Sequence, residues 1–288
     1  RIAPLGPLAR AKAGSDSAHF AMAATSSWYA GFAWESAPLA HWCCPVVSIA
    51  VYLLSIPVLL TIMRPREGFK LRKTTAAHNL FLSALSLAMF LGTAVELWRR
   101  HARTGTFEWF FCEDAVGSAQ GPLYFWSYVY YLSKYYEMFD TVLVLLQKSR
   151  VPNFKLQVFH HAGVAPMMWA WCQHKMSLQW GGLLFNTFVH VIMYHYYAWR
   201  VLGLPTPWKR WITKLQILQF VTSFLLLSVT ICVFMQKQNG DTCAGMGTLM
   251  INLVFNATLL LQFVGVDRRN AARKSGDAHE DLTKCKQT

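Results

Sequence analysis

Apolar residues gather in seven blocks along the chain, at residues 42–63, 76–98, 124–146, 156–172, 178–199, 211–235 and 246–266. A helix that crosses the hydrocarbon core of a bilayer needs about 20 mainly apolar residues. The blocks have that length, and short connectors separate them. The pattern predicts an all-α multipass membrane protein with seven transmembrane helices, residues 42–266, between an N-terminal tail (1–41) and a C-terminal tail (267–288). Composition agrees, because only 14% of residues are charged against about 25% in soluble domains. No internal repeat divides the chain.

The third, fourth and fifth blocks carry polar residues at helical spacing. In "SKYYEMFDT", Lys134, Glu137, Asp140 and Thr141 fall at i, i+3, i+6 and i+7. In "LQVFHH", Gln157, His160 and His161 fall at i, i+3 and i+4. "NTFVHVIMYHYY" sets Asn186, His190, Met193, Tyr194 and Tyr197 along one face, and in the sixth block "TKLQILQF" does the same with Thr213, Gln216 and Gln219. Lipid cannot satisfy such groups, so the stripes are expected to face one another around a shared polar chamber. Interhelical hydrogen bonding is the plainer alternative. Ionisable residues inside spans are costly, and two carboxylates with three histidines favour a reaction or transport chamber.

The histidines raise a metal question. His160, His161, His190 and His195 are too few for a two-iron histidine-box site, and His78 stands alone in the second block. A single zinc would need a further ligand, and no acidic or cysteine residue accompanies the pair at metal spacing. No metal is expected. Neutral imidazole beside buried carboxylates suits nucleophilic and general-base work.

The net charge of +13 points to topology rather than nucleic acid. Eighteen Lys and Arg lie in the connectors at 64–74, 148–155 and 200–214 and in the tail after 266, and eight lie in the N-terminal segment and the opposite connectors. The positive-inside rule then places the C-terminus in the cytosol and the N-terminus on the lumenal side. Residues 1–21 read as disordered, with Met22 as a plausible initiator. The terminal "KCKQT", with Lys284 and Lys286, matches a K-x-K-x-x signal for return to the endoplasmic reticulum. Cys112 and Cys243 both fall on the expected lumenal side, where a disulfide is permitted.

These stripes also carry a resemblance. "KYYEMFDT", "QVFHH", "NTFVHVIMYHYY" and "TKLQILQF" resemble, in order, four motifs of the ELO family of very-long-chain fatty acid elongases. The resemblance covers most of residues 120–265. It implies a 3-ketoacyl-CoA synthase, an acyltransferase that condenses an acyl-CoA with malonyl-CoA, releases CO2 and lengthens the chain by two carbons. It implies six helices in an inverted barrel around an acyl tunnel, with CoA at the cytosolic mouth. His160 would take the acyl group as an acyl-imidazole and His190 would assist decarboxylation. Lys134, Glu137, Asp140, His161, Asn186 and Tyr194 would complete the catalytic set. Gln157, Met193, Tyr197, Gln216 and Gln219 would contact substrate; Lys148, Arg150, Arg200, Lys209 and Arg210, at the cytosolic ends of the spans that carry His160 and His190, either capture CoA phosphates or serve topology alone. No metal or redox cofactor is implied. The implied partners are both thioesters, membrane lipid, a second copy of the chain, and the ketoacyl reductase, dehydratase and enoyl reductase of the cycle.

Gln157 stands where the family's box begins with histidine. Such a glutamine resembles microalgal elongases acting on Δ9-unsaturated C18 polyunsaturated acyl-CoAs. Two other classes remain as rivals, a seven-helix receptor and a secondary transporter. The seventh block lacks the lysine of a retinal protein, and the polar blocks have few of the Gly or Pro breaks usual in transporters.

Overall fold

The computed structural model describes residues 28–151, 153–237 and 242–285, and their side chains apart from those of Arg210, Asn270 and residues from 273 onward. Residues 1–21, Met22 and Lys286, and the side chain of Lys284, therefore lie outside it. The expected blocks are all helical: α1 Cys43–Met63, α2 Arg72–Thr104, α3 Pro122–Glu137, α4 Phe139–Leu146, α5 Phe154–Gln173, α6 Gln179–Leu202, α7 Lys209–Gln236 and α8 Met246–Cys285. Among the described residues there is no strand, only the isolated bridges Ala33–Gln120 and Asp114–Cys243.

By length and composition, α1, α2, Trp211–Gln236 of α7 and Met246–Arg269 of α8 are apolar enough to cross a membrane. The polar residues of the third to fifth blocks set α3, α5 and α6 apart from these. Two bounds depart from the sequence pattern. The third block is two helices rather than one, because the chain tightens at Met138, whose N–H reaches the carbonyl of Tyr135 at 3.3 Å in a 3₁₀-like turn. No glycine or proline marks that break. Helix α8 also runs to Cys285, well past residue 266.

Contacts between helices follow a cycle: α2 packs on α6, α6 on α7, α7 on α8, α8 on α5, α5 on α3, and α3 on α2. Helix α1 lies outside and touches α4 and α5. Its apolar residues Val47, Val51, Leu54 and Val58 are exposed, as expected of a surface that faces hydrocarbon. Its inward anchor is the Tyr52 hydroxyl, 2.9 Å from Thr141 Oγ1.

Charge distinguishes the two ends. At the basic end, Arg72 Nε donates to the Val201 carbonyl at 3.0 Å, Phe69 N–H to Leu146 at 2.9 Å, and Gln147 Nε2 to Thr75. At the other end a knot of connectors caps the bundle. Cys112 and Cys243 are joined by a disulfide with a sequence separation of 131. Ser177 donates its N–H and its hydroxyl to the Ala244 carbonyl, at 3.0 and 2.8 Å, and Ala244 N–H reaches the Glu113 carbonyl at 2.8 Å. Arg100 grips Glu113 with two bonds of 2.7 and 2.6 Å and lies 4.3 Å over the Trp109 ring. Lys175 Nζ caps three carbonyls, from Asp114 to Val116.

Candidate active site

Glu137 and Asp140, on either side of Met138, meet different partners, so the expected single stripe becomes two polar centres. In the first, Lys134 and Glu137 lie one turn apart on α3 and pair at 2.7 Å, with side chains 0% and 1% exposed. Lys134 also lies 4.1 Å over the Tyr130 ring, and its Nζ is 3.4 Å from Asn186 Oδ1, which accepts from the Tyr130 hydroxyl at 2.7 Å. His190, from α6, brings Nδ1 to 3.6 Å from Glu137 Oε1. A buried ammonium and carboxylate are tolerable here because each offsets the other's loss of water.

The second centre surrounds Asp140. Tyr194 donates to Oδ2 at 2.9 Å, His161 Nε2 is 3.8 Å from the same oxygen, and His78 Nε2 is 2.8 Å from Oδ1. His78 is buried on α2. Sequence spacing gave it no partner, because its partner stands 62 residues away. An ionisable group within an apolar span was the only available signal. Tyr130 and Tyr52 are also site residues that their aromatic character hid among core positions.

His160 and His161 stand between the two centres, with ring centroids 5.5 Å apart. His160 Nδ1 is buried and has no hydrogen-bond partner in the protein. His160 also lines an internal cavity with Tyr130, Asn186 and Gln219, and below them Trp171 and Phe185. The cavity continues toward the capped end, where Met176, Leu178 and Leu249 are buried in its wall. Gly182 is required there, since a Cβ would come within 2.5 Å of the Trp171 ring. From His160 to the end of α5 at Gln173 the axial drop is about 20 Å at 1.5 Å per residue.

The remaining sequence-predicted residues are less central. Gln157 donates to Thr141 Oγ1 at 3.4 Å. Met193 Sδ accepts from Gln216 at 3.6 Å, and Tyr197 is 39% exposed beside Tyr194. Lys148, Arg150, Arg200 and Lys209 are exposed at the basic end. Lys148 Nζ lies 3.4 Å from the Arg64 carbonyl, and Arg200 donates to the Tyr196 hydroxyl.

The fold also corrects one premise of the metal argument. Glu137 does stand with the histidines, and donor atoms of Glu137, His160 and His190 all lie within 4.8 Å of one another. That carboxylate is already compensated by Lys134, and a divalent ion would have to sit beside this buried ammonium. The donor set fits an acid–base and nucleophilic centre better than a cation site.

Three proteins give the arrangement a context. The chain is 37% identical to "Fatty acid elongase sre1" of Dictyostelium discoideum over 71% of its own length and 76% of that protein's. It is 31% identical to "Fatty acid elongase A" of the same organism, over 82% and 84%. It is 28% identical to "Very long chain fatty acid elongase 5" of Tachysurus fulvidraco, over 82% and 79%. Residues 37–276, which hold both centres, the cavity and the cap, match the ELO: GNS1/SUR4 family, and the chain belongs to that family.

Proposed function

We propose that the protein is the condensing enzyme of fatty acid elongation, a very-long-chain 3-oxoacyl-CoA synthase. It joins malonyl-CoA to a long-chain acyl-CoA and releases CO2, free CoA and a 3-ketoacyl-CoA. The observation that carries this reading is the place of His160, at the head of a deep cavity and within reach of a second acid–base group. A carbon–carbon bond of about 1.5 Å at about 111° advances an extended chain roughly 1.25 Å per carbon, so C16 to C18 spans about 20 Å. That equals the drop from His160 to the end of α5.

The chemistry balances without a cofactor. Neutral His160 attacks the thioester carbonyl, the carbon–sulfur bond breaks, and the imidazole proton ends on the CoA thiolate. Malonyl-CoA then loses CO2, and the carbanion left at its C2 attacks the acyl-imidazole. His160 leaves and takes one proton from solvent. His190, held by Glu137 and Lys134, is placed to orient the malonyl group, with Asn186 beside it. Asp140, Tyr194 and His161 hold the other face of the nucleophile. A cavity with mainly apolar walls protects the acyl-imidazole from hydrolysis.

The wider reading is seven spans with six around the acyl tunnel, supported by the cyclic order of contacts. The protein then sits in the endoplasmic reticulum membrane with its basic end toward the cytosol. There Lys148, Arg150, Arg200, Lys209 and Arg210 would meet the CoA phosphates, and the three later enzymes of the cycle would receive the product. Gln157 supports a preference for C18 polyunsaturated chains. Purified protein given an acyl-CoA and carboxyl-labelled malonyl-CoA should release labelled CO2 and carry an acyl adduct in intact mass, and His160→Ala should lose both. No release with any C16 to C22 acyl-CoA, or an adduct that persists in His160→Ala, overturns the proposal.

A further inference from the structure

Among the described residues, the two polar centres hold one ammonium and two carboxylates, Lys134 with Glu137 and Asp140. Lys134 is committed to Glu137 at 2.7 Å. Among the described residues, no lysine or arginine pairs with Asp140; its ionic partners are His78 at 2.8 Å and His161 at 3.8 Å. Asp140 keeps 19% of its side chain exposed, but a carboxylate within a span is costly without a counter-charge, so a proton on one of those two imidazoles is the available compensation.

The two imidazoles are not equivalent places for it. His161 adjoins His160, and a cation there would oppose any positive charge on the nucleophile as it is acylated. His78 stands across Asp140, on α2, away from His160. The groups that face it are Asp140 of α4, the Tyr136 ring of α3 at 5.1 Å, and, through the same carboxylate, Tyr194 of α6 and His161 of α5. Lys134, Glu137 and His190 belong to the neighbouring centre.

We propose that His78 is a positioning residue: as an imidazolium it is the counter-ion of Asp140, and it thereby keeps His161 neutral for the reaction at His160. It touches no substrate and acts through the carboxylate. This leaves each carboxylate with its own cation, Glu137 with Lys134 and Asp140 with His78.

The kinetic consequence rests on the condensing-enzyme reading. His78→Gln places an amide N–H near the position of Nε2 but cannot carry charge. The compensating proton then moves to His161, so the acidic limb of kcat/KM moves up by about one pH unit. The loss at neutral pH, at most about tenfold for a shift of that size, should therefore recover as the pH rises. In an Asp140→Asn background, which removes the charge to be balanced, His78→Gln should leave the limb where Asp140→Asn alone puts it. An equal loss at every pH, or an unmoved limb, overturns the proposal. A direct measurement on the parent protein does not depend on turnover or on the variants folding. With 15N-labelled imidazole nitrogens assigned by difference from a His78 variant, or by selective labelling if that variant does not fold, His78 should show two protonated nitrogens at neutral pH. One protonated nitrogen overturns the proposal, whereas a parent that fails to condense while His78 is doubly protonated overturns only the reaction.

Discussion

Lys134→Met isolates the electrostatics of the site. The change keeps an unbranched side chain of similar length and removes only the ammonium. Glu137 Oε1 is then left with the Ser133 hydroxyl at 3.1 Å and His190 at 3.6 Å, and Oε2 has no protein partner even in the parent. Both members of the pair are essentially inaccessible to solvent, so water cannot screen the loss. Removing one partner of a buried pair costs about 3–5 kcal/mol. At about 2–4 °C per kcal/mol for a chain of this size class, unfolding temperature should fall by roughly 6–20 °C. Replacing both members, as Lys134→Met with Glu137→Met, removes the stranded charge as well, and such apolar replacements are often neutral or stabilising. The double variant should therefore unfold within a few degrees of the parent and still lack condensing activity. Fluorescence-monitored thermal unfolding in detergent reads the first quantity, and CO2 release from malonyl-CoA reads the second. A single variant as stable as the parent, or a double variant no better than the single, would refute the argument.

Cys112→Ser should lower thermal stability, by at most about 5 kcal/mol for a loop of this size in the chain-entropy account; equal stability and no effect of reductant on the parent's gel mobility would count against that. Gln157→His should keep the fold, since its neighbour Thr141 still has Tyr52, and should alter the ranking of Δ9-unsaturated C18, Δ6-unsaturated C18 and saturated C16 acyl-CoAs more than the total rate. An unchanged ranking would remove the basis for a Δ9 preference. Neutralising Arg150 and Lys209 together, both exposed at the basic end, should raise KM for malonyl-CoA and flatten its dependence on salt. If neither moves, these charges serve topology alone.

The helices were legible because each apolar block is long and the connectors are polar. The Lys134–Glu137 pair was equally legible, because i, i+3 neighbours meet on any helix. What hid from the sequence were features made by packing. Nothing at Met138 announces a break, and nothing in the spacing shows that Asp140 meets His78 of α2 and Tyr194 of α6 while Glu137 meets His190 of α6. His78 had no local partner, so a periodic reading left it solitary. Gln157 sits one turn before His160, but its neighbour across the interface, Thr141, took its hydrogen bond. Cyclic helix order likewise depends on which faces meet, and hydropathy does not encode that.

On the proposed reading, the connectors at the capped end make the cavity a dead end. On the proposed reaction a chain enters tail first and can leave only by backing out, head first, past His160. Two chains cannot occupy it in series, and the newly made ketone stops at the mouth. Each two-carbon addition must therefore finish with full departure of the product. Growth then proceeds as separate visits rather than as a continuous run. Every intermediate length is released to the surroundings, where the next enzyme, or a competing one, decides whether it returns.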